Sequence, residues 1–399
     1  MSAQALRVDT ISEIAGFTAL REEWNELLAA SRADSLFLTW EWLHTWWLHA
    51  RGDARLALLA VRRGEELVGL APLLSRTELF GGARLEFLGT GRVGSDYLDV
   101  IARRDVEPEV VAVLASHLAR SGSVLDLRQV RLTASVVKGL VRELRRSGCS
   151  IRAARTHRCP YIALEGRSWD AFLGSLGSEH RYAFRRKLRK LRAQHELSFE
   201  LVASEAERRA LVPVLFELHR LRWKGRGSDG LQGLEAFHEG ISRLALERGW
   251  LRLFVLRLDG EPAAALYGFR YGRVFSFYQS GFDPRLRDSS VGSVTLGLAI
   301  QSALEDGAAE FDLLHGEEPY KFHWASRSRR LARLTLFPGG PRARLSLGMA
   351  NAVGAARSVL RRLPDGLAAR SVLRMLPDGL AARIASVRRG GRSDAAPAG

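Results

Sequence analysis

One order of elements recurs along this chain, and the recurrence limits its fold more than any single motif. In the first half, apolar patterning predicts a hairpin over residues 56–61 and 67–74 around the polar turn 62–65. Strands at 85–89 and 97–101, a helix at 110–119, a strand at 124–127 and a helix at 132–146 follow. The second half opens with helices over 167–194, 205–222 and 234–248. A meander of strands at 250–258, 262–270 and 274–280 comes next, turning at Asp259-Gly260 and Tyr271-Gly272. A helix over 292–305 and strands at 310–314 and 331–337 complete it. Strands alternating with helices predict an α/β fold on a mixed sheet. At 399 residues the chain is too long for one ordinary core, so the echo is read as two related domains, 1–160 and 161–338.

Composition limits the function classes. The chain is 46% hydrophobic and 26% charged, an ordinary globular balance. No apolar run is long enough to span a bilayer, and residues 1–17 show no secretory leader, so the cytoplasm is the expected compartment. Two cysteines, Cys149 and Cys159, lack metal-ligand spacing, so no metal is expected. Net charge is +16, and 11 Arg against 3 Asp place +8 of it in residues 339–399. That stretch repeats itself: residues 358–370 read SVLRRLPDGLAAR and 371–383 read SVLRMLPDGLAAR. Pro-Asp-Gly breaks any helix there, so a basic tail of low order is expected, with contact to an anionic membrane face as its sharper role.

Two stretches carry chemistry. Residues 281–294 run from a strand into a loop and open a helix at Ser289-Ser290-Val291-Gly292-Ser293. Small side chains there let backbone amides approach an anion at a helix N-terminus, and Arg285 and Arg287 stand beside it to pair with phosphate. The run is neither a Walker loop nor a G-x-G-x-x-G fingerprint, and no G-x-S-x-G elbow occurs. The second stretch, Glu310 to Trp324, ends a buried strand in Asp312, His315, Glu317, Glu318, Tyr320, Lys321 and His323. Those groups supply acids and bases for proton transfer. The first half shows no equivalent polar loop and is expected to shape an acceptor cleft without catalysing. Residues 179–192 form a helix with an apolar stripe and a cationic face, a cradle for an anionic acceptor. The cluster of Trp40, Trp42, Trp46 and Trp47 is expected to anchor core.

In that order, the motifs resemble GNAT-fold acyltransferases of the CelD-like group, associated with bacterial cellulose and exopolysaccharide synthesis. The likeness is carried by Arg185-Arg186-Lys187-Leu188-Arg189, Arg222-Trp223, Gly281-Phe282-Asp283-Pro284, Ser290-Val291-Gly292, and Phe311-Asp312 through Gly316 to Tyr320-Lys321. With Leu36-Phe37, Trp40 and Trp42 it spans nearly all but the tail. The chain is more distantly similar to Fem-type aminoacyltransferases. The resemblance implies tandem GNAT-like domains, the second catalytic, and acetyl-CoA or another acyl-CoA as co-substrate. It implies a pyrophosphate at Ser290 to Ser293, a thioester between two splayed parallel strands, and amides near Ser280 as oxyanion donors. Glu317, Asp312 or His315 is then the base, Tyr320 the acid, and Lys321 a holder of phosphate or acidic acceptor. Arg185, Arg189 and Trp223 are implied on the acceptor side. The implied acceptor is a sugar or cell-surface polymer precursor, reached at the inner membrane face. Charged tRNA as donor, or a non-catalytic binding role, stand as alternatives, and nucleic acid is otherwise not expected.

Overall fold

Pro72 splits the expected return strand of the first hairpin in two. The computed structural model, which describes residues 5–77, 82–131, 133, 135–224 and 230–339, places the two pieces in different sheets. The first half runs β1 (Leu6–Ile11), α1 (Ile14–Ala19), α2 (Arg21–Ala29), α3 (Trp40–Ala50), β2 (Arg55–Leu56), β3 (Leu58–Arg63) and β4 (Glu66–Ala71). It continues with β5 (Leu73–Thr77), β6 (Ala83–Phe87), β7 (Ile101–Ala102), α4 (Glu107–Ser121), β8 (Val124–Arg131), α5 (Ser135–Arg146) and β9 (Ser150–Ala163). The strand expected at 97–101 is reduced to Ile101–Ala102, because Tyr97 adopts φ 56° and cannot extend.

The second half runs α6 (Trp169–Ser175), α7 (Ser178–Gln194), β10 (Leu197–Leu201), α8 (Glu205–Trp223), α9 (Glu235–Glu247), β11 (Leu251–Leu258) and β12 (Glu261–Tyr271). Then come β13 (Val274–Phe282), α10 (Val291–Glu305), β14 (Glu310–Asp312), α11 (Pro319–Trp324) and β15 (Arg327–Phe337). Asp259 and Gly260, at φ 53° and 84°, make the tight turn that the sequence predicts between β11 and β12. Strands β1 and β10 are not predicted from the sequence.

Sheet order explains the recurrence. One sheet of four strands is ordered β1-β3-β4-β7, and one of eleven is ordered β10-β11-β12-β13-β14-β9-β15-β8-β6-β5-β2. Read inward from either end, each half brings a parallel pair, β13 with β14 and β6 with β8, next to a strand of the other half. Strand β9, from the first half, lies between β14 and β15; β15, from the second, lies between β9 and β8. Residue 160, where the sequence places the domain boundary, falls inside β9, and the sheet continues through it.

The halves also share a core. Trp42 on α3 meets Phe237 of α9 at 5.3 Å and Phe269 of β12 at 5.5 Å between ring centroids, and is fully buried with Trp24 and Trp46. Each such side chain contributes roughly 1.5–3 kcal/mol by burial. The Trp cluster is thus core. Nearly all described residues belong to one compact unit, Met1–Arg222 with Gly230–Pro338. No helix among the described residues is long and apolar enough to cross a membrane. The repeat at 358–383 lies outside the described residues.

Candidate active site

The parallel pair β13 and β14 stays in register only from Val274↔Glu310 to Ser276↔Asp312. Beyond that point the chain turns to β9: Leu313 N donates to Pro160 O at 3.0 Å and Gly316 N to Arg158 O at 3.1 Å. Strand β13 stays on β12 through a bulge at Tyr278. Two strands that start as neighbours therefore part. Gly281 lets α8 close on β13, since a Cβ there would lie 2.2 Å from the His219 backbone nitrogen.

At the far end of β13 the chain makes a 3-10 turn, Pro284–Ser289, and starts α10. Ser290 takes φ 57°, and its carbonyl accepts from Ser293 N and Val294 N. Helix geometry leaves the amides of Val291 and Gly292 without intrahelical acceptors, at the positive end of the dipole. A Cβ on Gly292 would lie 3.2 Å from the Phe282 ring, so glycine lets that ring pack against the helix start. Arg285 is held by Asp283 at 2.6 Å, although its side chain is exposed; Arg287 is exposed on the same turn. Arg222, on α8, donates to Ser280 Oγ at 2.7 Å and spreads its guanidinium over the Phe282 and Tyr320 rings, 5.3 and 5.8 Å away. Ser280 and Tyr320 thus face each other across one cation.

The polar loop holds a second group of residues. Asp312 is buried, accepts from Tyr97 Oη at 2.6 Å and from the Leu314 amide at 2.8 Å, and meets Arg329 at 3.3 Å. Burial pushes its carboxyl up to about 6. His315 donates its amide to Asp96 at 2.8 Å and has Nδ1 3.0 Å from the same carboxylate, whose charge raises the imidazole above its ordinary value. Lys321 is buried, donating to His315 O at 2.8 Å and pairing with Glu318 at 3.1 Å. A Cβ at Gly316, φ 130°, would strike both Glu318 and Lys321. Glu317 is exposed, 3.8 Å from Arg158.

Arg185 and Arg189 lie on the exposed side of α7, Arg185 paired with Asp170 at 3.3 Å, while Phe184 and Leu191 of that helix are buried. Trp223 closes α8. A cavity of about 230 Å³ beside α7 and α11 has Arg167, His180, His323 and Arg327 among its walls. No group of three metal-ligating side chains occurs among the described residues.

Sequence reasoning named Arg222 only as part of the Arg222-Trp223 motif, without a role, and passed over Arg329 and the loop that carries Asp96 and Tyr97. The first half does own a polar loop, contrary to expectation. Its signal is the spacing of Gly89, Gly91 and Gly94, all at positive φ, before Ser95-Asp96-Tyr97.

Residues 178–322, from α7 into α11, match the family model of the acetyltransferase (GNAT) domain. The chain carries a GNAT-fold domain. That stretch holds the parting strands, the start of α10 and most of the polar loop. Solved structures extend the likeness to both halves. The crystal structure of FemX is 12% identical, with a TM-score of 0.57 over 82% of this chain and 96% of that one. The C-terminal domain of a putative lysylphosphatidylglycerol synthetase from Agrobacterium fabrum gives 14%, 0.52, and 86% and 97% coverage. A conserved protein of unknown function from Bacteroides thetaiotaomicron VPI-5482 gives 12%, 0.53, and 83% and 100%. At such identities the shared property is the fold. No curated protein matches the chain.

Proposed function

We propose that this GNAT domain transfers an acyl group from acyl-CoA, most simply acetyl, to an amine or hydroxyl on a sugar or cell-surface polymer precursor. The carrying observation is the parting of β13 from β14 directly before a helix N-terminus that has no side-chain cap. When bound, the co-substrate supplies an activated thioester. The amides of Val291 and Gly292, with Arg287 beside them, bind its diphosphate. Ser280, fixed by Arg222, orients the strand whose amides face the acyl carbonyl. Tyr320 Oη holds the proton for the leaving sulfur. Of the three candidate bases, His315 is favoured: Asp312 already has its oxygens on Tyr97, Arg329 and an amide, and Glu317 sits in solvent.

Binding of acetyl-CoA to the folded state alone must raise its melting temperature, by the equivalent of about 2.7 kcal/mol at one hundred times Kd. A thermal-shift series over acyl-CoA species therefore tests the reading, and a crystal soaked with acetyl-CoA should place diphosphate on Val291 and Gly292. No shift with any acyl-CoA, together with saturable binding of aminoacyl-tRNA, would replace it with aminoacyl transfer. The likeness to FemX and to the putative lysylphosphatidylglycerol synthetase favours that second reading, as does the exposed cationic face of α7.

A further inference from the structure

The loop between β6 and β7 belongs to the first half by sequence but bridges to the second by its contacts. Trp42 Nε1 donates to Ser95 Oγ at 2.8 Å, Tyr278 of β13 donates its hydroxyl to Val93 O, and Tyr97 Oη reaches Asp312 of β14. Arg92 bonds to the Gln232 carbonyl. A Cβ on Gly94 would lie 3.3 Å from His315 Cε1, so glycine there makes room for the imidazole. Between these anchors Asp96 is fully buried. It takes two bonds from His315, at the amide and at Nδ1, and one from Gln129 Nε2 at 3.1 Å.

We propose that Asp96 of the first half is the positioning residue for His315 of the second, so that the transfer site is assembled from both halves of the chain. The inference rests on the acyltransferase reading above. An imidazole whose Nδ1–H is committed to a buried carboxylate carries its lone pair on Nε2, in a fixed orientation. The His315 side chain is 36% exposed. Nε2 takes the N–H or O–H proton of the acceptor as the new acyl bond forms. The thioester C–S bond breaks, its electron pair leaves on sulfur, and sulfur takes the proton of Tyr320 Oη. The other groups facing His315 are His157 of β9, with ring centroids 5.2 Å apart, Lys321 of α11 and Glu318 just before that helix; Cys159 and Tyr97 stand behind Asp96. Lys321 opposes the cationic imidazole and Glu318 supports it, so Asp96 sets the balance.

The test is Asp96→Asn in the full chain, an isosteric change, read by acetyl-transfer rates from pH 5.5 to 9.5 and by NMR titration of His315. With acetyl-CoA and the acceptor found by the thermal-shift and transfer assays, kcat/KM should fall about 10²-fold. Acetyl-CoA affinity should hold within about twofold, and the rising limb of the pH profile should move to lower pH together with the His315 titration. An unchanged profile, an unmoved titration, or loss of acetyl-CoA binding in step with the rate overturns the proposal. Titration of His315 in the unaltered protein needs no variant: a midpoint at or below the ordinary imidazole value also overturns it. If the unaltered protein binds no acyl-CoA, the acyltransferase reading fails by itself, while the NMR arm still judges the pairing.

Discussion

The two parallel strand–helix–strand units of this molecule differ first at the opening turn of the helix. In the first half, α4 starts with Glu107-Pro108-Glu109, so carboxylates already occupy the positive end of its dipole. In the second, α10 starts with Ser290-Val291-Gly292-Ser293 and has no acid there. The strands after each helix echo this. Asp126 on β8 and Asp312 on β14 are both buried, but Asp126 is gripped by Arg333 at 2.6 Å and Arg128 at 2.8 Å. Burial opposes its charge, yet the two guanidiniums hold it below the usual carboxylate range; Asp312, with one more distant Arg and a phenol, is pushed up instead. The same topology thus makes a closed ionic unit in one half and an open site in the other.

That contrast can be broken first at the two carboxylates. Asp126→Asn should cost about 3–5 kcal/mol, the typical loss on breaking a buried ion pair. Asp312→Asn should cost less, and their pH trends should oppose each other. Asp126 has a lowered folded pKa, so its contribution is complete above the unfolded value and vanishes as pH falls through the folded one. Asp312 has a raised one, so the folded state loses stability as pH climbs from about 4 to about 6, and removing its charge costs least at neutral pH. Urea unfolding of both variants at pH 3, 4.5 and 7.5 reads the two trends, Asp126 below pH 4.5 and Asp312 above it; parallel trends would erase the distinction.

The helix starts come next. Ser293→Glu gives α10 the acid that Glu109 gives α4 at the same helical position. Acetyl-CoA affinity measured by calorimetry should fall at least tenfold, about 1.4 kcal/mol, with stability unchanged or slightly higher. The smallest effect is expected from the reverse change. Glu109→Gln removes one favourable dipole contact and should lower stability by about 0.3–1 kcal/mol in a melt, without creating coenzyme A binding in the first half.

Local signals made much of the second half readable. The meander, its turn at Asp259-Gly260, the helix from Gly292 and the ionisable run after Asp312 are all written in contiguous residues. The strand pairing across the middle was not. Residues 150–157 of β9 are mostly exposed and show no apolar alternation, so nothing local marks them as the partner of β15. Tyr97 was expected to open a strand over 97–101; a bond to Asp312, 215 positions away, holds it otherwise. Lys321, expected to hold phosphate or an acidic acceptor, is folded onto the His315 carbonyl and Glu318.

Sequence alone determined where a helix opens on serine and glycine, because those residues at a helix start act within a few bonds of themselves. It also determined that acids and bases gather after the buried strand. Only the tertiary structure decided which of those groups are free and which are spent. Charge, burial and hydrogen bonding at Asp96, Asp312 and His315 come from partners brought together by strands exchanged between the halves, and no local pattern encodes a contact made across that distance.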